Sequence, residues 1–233
     1  MKRKKKAILV VDIGGTHVKL MISRTDKRKF DSGPAMTPRQ LVTKLKATVK
    51  GWEFDAISIG FPSPVRNGRI VKDPKHPGPG WAGFNFAAAL RKPVHVVNDA
   101  AMQALGSYHG GRMLFLGLGT GLGSALVYEK TLLPLELGDL PYRDGVIIEK
   151  FLGKPGLSKL GEAAWKREVR HAIRQLKKSF IADYVVLGGG NAKRFETLPK
   201  GIEPGHNRNA YLGGIRLWEK RPGARTAKWR IIT

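Results

Sequence analysis

Two glycine-rich stretches carry residue types suited to holding phosphate: VVDIGGTH at 10–17 and LGLGTGLGS at 116–124. Backbone amides bind oxyanions without side-chain bulk, and glycine allows the φ values and close approach such a turn needs. A dinucleotide fingerprint requires G-x-G-x-x-G opening a helix, with an acidic residue about twenty positions on. Here the third glycine falls at the wrong offset, and SALVYEK at 124–130 continues as a strand. A P-loop requires G-x-x-x-x-G-K-[ST], which neither stretch has. What remains is a pair of β-hairpins whose turn amides face a phosphate chain from two sides. In one register Asp12 matches Gly117, so only the first hairpin carries an acid. Phosphoryl transfer uses that asymmetry, with one carboxylate near Mg²⁺ and amides elsewhere.

The elements around these stretches repeat. A strand at 7–13, its neighbour at 17–23 and a short strand near 29–31 precede a helix over 39–50 that turns Leu41, Leu45 and Val49 inward. The segment 56–60 reads as a buried strand, and the Pro/Gly-rich 61–81 is long enough to suggest function. A helix at 84–90, a strand at 93–97 and a helix at 99–108 capped by Asp99 complete the first half. The strand, glycine turn, strand, tight turn, strand order then restarts at Met113, a spacing that suits a duplicated domain. A helix over 165–180, a strand at 184–189 and a helix near 210–219 follow. Two α/β halves, each opening on a glycine hairpin, imply a cleft between them.

The chain has 233 residues, 42% of them hydrophobic, and 29 glycines, which suits an α/β globule. There is no apolar run long enough to span a membrane and no signal-peptide pattern, so a cytoplasmic protein is expected. The absence of cysteine excludes disulfides and thiolate metal sites. Lys and Arg number 42 against 18 Asp and Glu, a formal charge of +24 that attracts polyanions. Part of it lies in MKRKKK at the start and KRPGARTAKWR near the end, expected to be solvated ends. In the 165–180 helix, Trp165, Val169, Ile173, Leu176 and Phe180 share a buried face while Arg167, Arg170, Arg174 and Lys178 line the other. That basic face reads as a solubilising surface, with an anion track as the alternative.

The ordered set DIGGT (12–16), GFPSPVRNG (60–68), WAGFNF (81–86), VVNDA (96–100), GTGLGSAL (119–126), PLELGDL (134–140), IIEKFLG (147–153) and VVLGGGNAKR (185–194) resembles the ROK sugar kinases over nearly the whole chain, and within them the polyphosphate glucokinases. The resemblance implies an α/β fold of two ribonuclease-H-like domains of the actin-like ATPase kind flanking a cleft. The expected division is 1–98 and 99–209, with a C-terminal helix at about 210–222 packing back on the first domain. It also implies transfer of a terminal phosphoryl group from polyphosphate and/or ATP to the 6-hydroxyl of a hexose, glucose or mannose, with Mg²⁺.

Asn98 and Asp99 read locally as a helix N-cap. The resemblance makes Asp99 the general base, accepting the proton of a sugar hydroxyl, and Asn98 a sugar hydrogen-bond partner. It makes Glu136 and Glu149 sugar ligands. The family's Glu-x-Gly-His motif reads Glu136, Leu137, Gly138, Asp139 here, so Asp139 stands where a sugar contact and a zinc-binding histidine are usual. No zinc is expected, and the sugar preferred is open. Asp12 (holding Mg²⁺ through water), Gly14, Gly15, Thr16, Lys19, Gly119, Thr120 and Gly121 form the expected phosphate site. Gly188, Gly189, Gly190 and Asn191 match the segment that carries the adenosine part of a nucleotide. The charge favours a polyphosphate donor through counterion release. A homodimer is implied; nucleic acid and membrane are not expected partners. A sugar-sensing or nucleic-acid-binding regulator is the alternative, but its helix-turn-helix would precede a strand that here starts by residue 7. A degenerate kinase that binds ligand without turnover is the other, motivated by Asp139.

Overall fold

The computed structural model describes residues 6–74, 78–206, 208–224 and 226–232. The expectation for the first five residues of MKRKKK lies outside them. The chain opens with strands β1 (Ile8–Ile13), β2 (His17–Met21) and β3 (Lys27–Asp31), then helix α1 (Pro38–Thr48). Thr37 and Gln40 close a reciprocal capping box at the start of α1. Strand β4 (Ala56–Phe61) is followed by the short hairpin β5 (Val65–Arg66) and β6 (Arg69–Ile70), helix α2 (Phe86–Leu90), strand β7 (Val94–Asn98) and helix α3 (Asp99–Ser107). The hairpin turns on Asn67 and Gly68, both at positive φ, inside what reads from sequence as plain loop.

The second half supplies β8 (Met113–Leu118), β9 (Leu122–Tyr128), β10 (Thr131–Leu135), the small pair β11 (Pro141–Arg143) and β12 (Val146–Ile147), and helices α4 (Glu149–Leu152), α5 (Lys154–Leu160) and α6 (Glu162–Ser179). Strands β13 (Tyr184–Gly188) and β14 (Ile202–Pro204), helix α7 (Arg208–Arg216) and strand β15 (Arg230–Ile231) end it. One sheet runs β3-β2-β1-β4-β7 and the other β14-β13-β8-β9-β10-β15. From β10 to β14 the second sheet repeats the first strand for strand, two antiparallel pairings followed by two parallel ones. The duplication read from the glycine hairpins therefore extends to the whole sheet.

Side-chain alternation along the central strands builds the layers. Val10 and Phe115 point into a core shared by both sheets, α3 and α7. Val11 and Leu116 point outward, to cores covered by α1 and α2 on one side and α6 on the other. The helices α3 and α7, equivalent in the two halves, cross between the sheets at glycines. A Cβ at Gly106 would strike the Asn209 carbonyl, and one at Gly213 the Met102 carbonyl. The helix α7 also packs on β1 and β4: Gly214 sits against Val10 and Ser58, and the Ser58 hydroxyl donates to the Gly214 carbonyl at 2.7 Å.

The basic C-terminal stretch is not a solvated end. Trp229 is buried in the shared core, β15 pairs with β10, and Glu219 accepts from Lys228 at 2.8 Å and from the Trp229 indole at 3.1 Å. The apolar indole, hidden between charged neighbours in sequence, pulls the segment onto the second sheet. The last helix also stops at Arg216, earlier than the expected span to 222, and the chain then turns back toward β10.

Candidate active site

The two glycine turns occupy equivalent places at the ends of β1 and β8. In the first, Asp12 pairs across the hairpin with Lys19 and lies beside Gly60 of β4. In the second, Gly117 pairs with Gly123 and lies beside Gly188 of β13. Asp12 and Gly117 are thus in matching positions, and only the first carries the acid. The turns differ in length: four residues separate Ile13 from its partner Val18, and three separate Leu118 from Leu122.

None of the glycines in either turn takes a left-handed φ, contrary to the expectation that their conformational freedom is needed. Close approach is what they supply. A Cβ at Gly121 would run into the Glu149 carboxylate, and one at Gly123 would lie 2.7 Å from Ala100 Cβ in the first turn of α3. In the second turn the Gly119 carbonyl accepts from the Lys154 amide and from Asn191 Nδ2, each at 3.2 Å. The amides of Thr120 and Gly121 donate to no backbone carbonyl among the described residues, so this turn can present N–H groups to an anion. Gly14 is anchored through its amide to the His17 carbonyl at 3.0 Å, while a Cβ at Gly15 would meet open space.

Asn98 ends β7, and its Oδ1 accepts from the Ala101 amide at 3.1 Å. Asn98, not Asp99, is therefore the N-cap of α3, and Asp99 becomes its first residue. The correction has a chemical consequence: Asn98 Oδ1 is engaged by the helix, so the side chain has only its Nδ2 donor left to offer. Asp99 Oδ1 accepts from the Ala100 amide at 2.8 Å. Burial, with the charges of Asp12 and Glu136 adding to it, pushes the Asp99 carboxyl up to about 7. Two neighbouring carboxylates cannot easily be joined by a third negative charge in a partly desolvated site. The same field places Asp12, Asp99 and Glu136 in one electrostatic cluster. Burial also raises the Asp12 carboxyl, opposed by Lys19, whose ammonium lies 3.6 Å away.

Glu136 is exposed where β10 runs into a 3-10 turn over Leu137–Asp139. Asp139 is exposed at the end of that turn. Glu149 opens α4 with its carboxylate between Gly121 and Gly138, so it touches both the second glycine turn and the 136–139 segment. Gly189 does use positive φ, 81°, and backs onto Leu118. Gly188 and Gly189 border a cavity of about 470 Å³ that Gln103, Lys193 and His206 also line.

Two contributors were not singled out from sequence. Gly60 lets α3 approach β4: a Cβ there would meet Met102 at 2.5 Å and the Asp99 Cα at 3.3 Å. Asp73 accepts from the amides of Gly80, Trp81 and Ala82 at 3.0, 2.6 and 3.0 Å, which holds its carboxyl below the usual range and pins the buried Trp81 against Phe61. Gly60 was visible in GFPSP; nothing in the sequence near Asp73 gives away its role. Among the described residues no three His, Asp or Glu side chains gather as a metal cluster, and no helix is long and apolar enough to cross a membrane.

The fold and its relatives agree. A glucomannokinase using inorganic polyphosphate or ATP, from Arthrobacter sp. strain KM, superposes with a TM-score of 0.77 at 22% identity, covering 90% of this chain and 97% of that one. A ROK glucokinase from Streptomyces griseus bound to glucose and AMPPNP superposes at 0.68 and 16% identity, covering 89% and 97%. In sequence, a polyphosphate glucokinase of Mycobacterium leprae is 25% identical over 207 residues, 79% of this chain and 63% of that protein. A glucokinase of Pyrobaculum calidifontis is 26% identical over 131 residues, 54% of this chain and 44% of that protein. The matched regions thus span less than two thirds of either curated relative. The ROK family model matches residues 8–134, more than half of the chain, with the first glycine hairpin, Asp99 and the second glycine turn all inside the match. With the duplicated sheets of that fold in place, the chain belongs to the ROK family.

Proposed function

We propose that the protein is a sugar kinase transferring a terminal phosphoryl group from polyphosphate and/or ATP to the 6-hydroxyl of glucose, with mannose the other candidate hexose. The observation that carries this reading is Asp99: a carboxyl raised to about 7 beside Asp12 and Glu136, at the start of a helix that touches the second glycine turn. A general base works best with a pKa near the working pH, because it is then both ionised and basic enough to take a proton. As the sugar oxygen bonds to phosphorus and the bond to the leaving phosphate breaks, the hydroxyl proton passes to Asp99 Oδ2.

Asn98 Nδ2, Glu136 and Glu149 are assigned to the sugar hydroxyls, and Asp139 to a further contact at the edge of the site. The amides of Gly15 and Thr16 and of Thr120 and Gly121 are assigned to the donor phosphates, with Lys19 beside them, while the Gly14 and Gly119 amides donate to the His17 and Gly121 carbonyls and hold the two turns in shape. Gly188, Gly189, Gly190 and Asn191, next to the cavity, are assigned to a nucleotide's ribose and base. Mg²⁺ fits this donor set: a single buried carboxylate, Asp12, suits an ion that keeps most of its waters and takes phosphate oxygens for the rest. When bound it would neutralise charge on the transferring phosphate. Lys19 also lies on Asp12 and would have to share it. The division at Asn98 and Asp99, a homodimeric state and a cytoplasmic location belong to the same reading.

The test is one panel of hexoses, each with ATP or polyphosphate, with and without Mg²⁺. Mg²⁺-dependent formation of a hexose 6-phosphate is expected; no phosphate transfer to any sugar overturns the reading.

A further inference from the structure

The polyphosphate reading leaves open where a long donor chain would lie once it leaves the glycine turn. The route can be followed through neighbouring residues. The Gly119 carbonyl is held by Asn191, which sits in the 3-10 turn of Gly190–Arg194. That turn presents Lys193 and Arg194 to solvent. Arg194 pairs with Glu162 in the first turn of α6 at 2.5 Å, and the next residue, Phe195, lies under the Arg170 guanidinium at 5.6 Å. From Arg170 the outer face of α6 continues through the exposed Arg167, Arg174 and Lys178. Arg167 to Lys178 covers about 16 Å along the helix axis.

Ordinary solubilising faces mix charges of both signs, so that neighbours pair. Here the two glutamates of α6 are already taken. Glu162 binds Lys166 at 2.7 Å as well as Arg194, and Glu168 accepts from Tyr142 at 2.6 Å and pairs with Arg143 at 2.9 Å. Among the described residues no carboxylate lies within ion-pair distance of Arg167, Arg174 or Lys178. A row of cations at helical spacing, joined through Arg194 and Asn191 to a phosphate-binding turn, complements a flexible linear polyanion. Lys193 of the same turn also lines the cavity beside Gly188, so the row and that cavity adjoin.

We propose that the 3-10 turn at 190–194 and the outer face of α6 form a binding track for the distal part of a polyphosphate chain whose end lies at Thr120 and Gly121. This rests on the reading of polyphosphate as donor, and it predicts that chain length matters: a long chain gains contacts on α6 that tripolyphosphate lacks.

The experiment measures binding of long-chain polyphosphate and of tripolyphosphate, across a salt series, to wild type and to a triple variant Arg167→Gln, Arg174→Gln, Lys178→Gln. All three side chains are exposed, and an unchanged thermal midpoint checks the fold. The variant should bind the long chain on the order of threefold to tenfold more weakly. Its plot of log affinity against log salt should be shallower by roughly 0.7 for each phosphate that the variant no longer neutralises. Tripolyphosphate binding should not change. Equal long-chain affinity and salt slope in variant and wild type would overturn the track, as would an equal weakening for both chain lengths. Weakening confined to duplex DNA, with polyphosphate unaffected, would assign the face to nucleic acid and also overturn it. Because binding is read directly, this result stands apart from turnover: a wild type that transfers phosphate only from ATP refutes the donor reading, whereas the track is decided by binding alone.

Discussion

Replacing Asp99 with asparagine should slow the reaction and stabilise the protein at once, with the two effects divided by pH. The amide keeps the shape of the side chain and its Oδ1 contact to the Ala100 amide, but cannot accept a proton. Loss of a general base costs roughly 10²- to 10⁴-fold in rate. Stability moves the other way. Carrying a carboxyl from 3.8 to about 7 disfavours the ionised folded form by about 4 kcal/mol. Asp99 is only partly buried, and water reaching it reduces that to about 2 kcal/mol.

The raised pKa means that the folded state holds this proton between pH 3.8 and about 7 while the unfolded state has released it. Wild-type stability therefore falls through that window as pH rises, and the penalty is complete above it. The variant has no such penalty. Scanning calorimetry at pH 8 should find the variant roughly 4–8 °C more stable, and at pH 4 the gap should nearly close. In parallel, wild-type kcat/KM should fall on the acid side with a midpoint near 7, and the variant's residual rate should lack that limb. A variant as active as wild type, or a thermal gap equal at both pH values, would refute the reasoning about this carboxyl.

Glu136→Gln removes one of the two charges raising Asp99, so the acid limb of kcat/KM should move to lower pH; an unmoved midpoint would show that the Glu136 charge does not reach Asp99. Gly121→Ala places a methyl group on the Glu149 carboxylate, and should raise the KM for both phosphoryl donor and sugar, as read by steady-state kinetics. Trp229→Ala removes a buried indole from the shared core and should cost about 3 kcal/mol in urea unfolding; a solvated C-terminal end would lose almost nothing. The amides on Asp73 lower its pKa, so their support of residues 80–82 is present above the ordinary carboxylate range and fades as pH falls below it. The protection of those amides against hydrogen exchange, relative to their intrinsic rate at each pH, should fall in acid and in Asp73→Asn.

The sequence disclosed those parts of the fold whose causes are local. Alternating or continuous apolar runs marked the central strands, and the helical spacing of Trp165, Val169, Ile173 and Leu176 marked α6. The hairpin at 65–70 carried an Asn-Gly signal of equal strength, yet its strands are two residues each and were hidden among prolines. Features with distant causes were not legible. The three amides that Asp73 gathers lie seven to nine residues away, and their loop conformation has no pattern of its own. Trp229 looked like one more residue of a basic tail because its partners, Tyr108 and the edge of β10, are far off in sequence. For Asp99 the position was legible but the environment was not. Its cap role depended on whether β7 ended one residue earlier, and its pKa depended on Asp12 and Glu136, contributed by different sheets.

A duplicated fold makes two equal glycine turns, and the kinase reading needs them unequal. The matched positions show how small the necessary differences are. Where the first half has Asp12 paired with Lys19, the second has Gly117 paired with Gly123, and that glycine is what allows β9 to lie against Ala100. A lysine at position 123 would push α3 away from the second turn and carry Asp99 with it. Where the first half has Gly60, with Asp99 Cα 3.3 Å from the Cβ it lacks, the second has Gly188, facing Phe115 and the cavity. One equivalent glycine thus seats Asp99 and the other borders the cavity. The closing residue Glu149 has no counterpart in the first half, because α4 to α6 are inserted where the first half has only α1. That insertion provides the carboxylate against Gly121 and the arginine face of α6. The turn that carries no acid is the one that α6 adjoins through Asn191 and Arg194, and this is the polarity expected if that turn faces the donor.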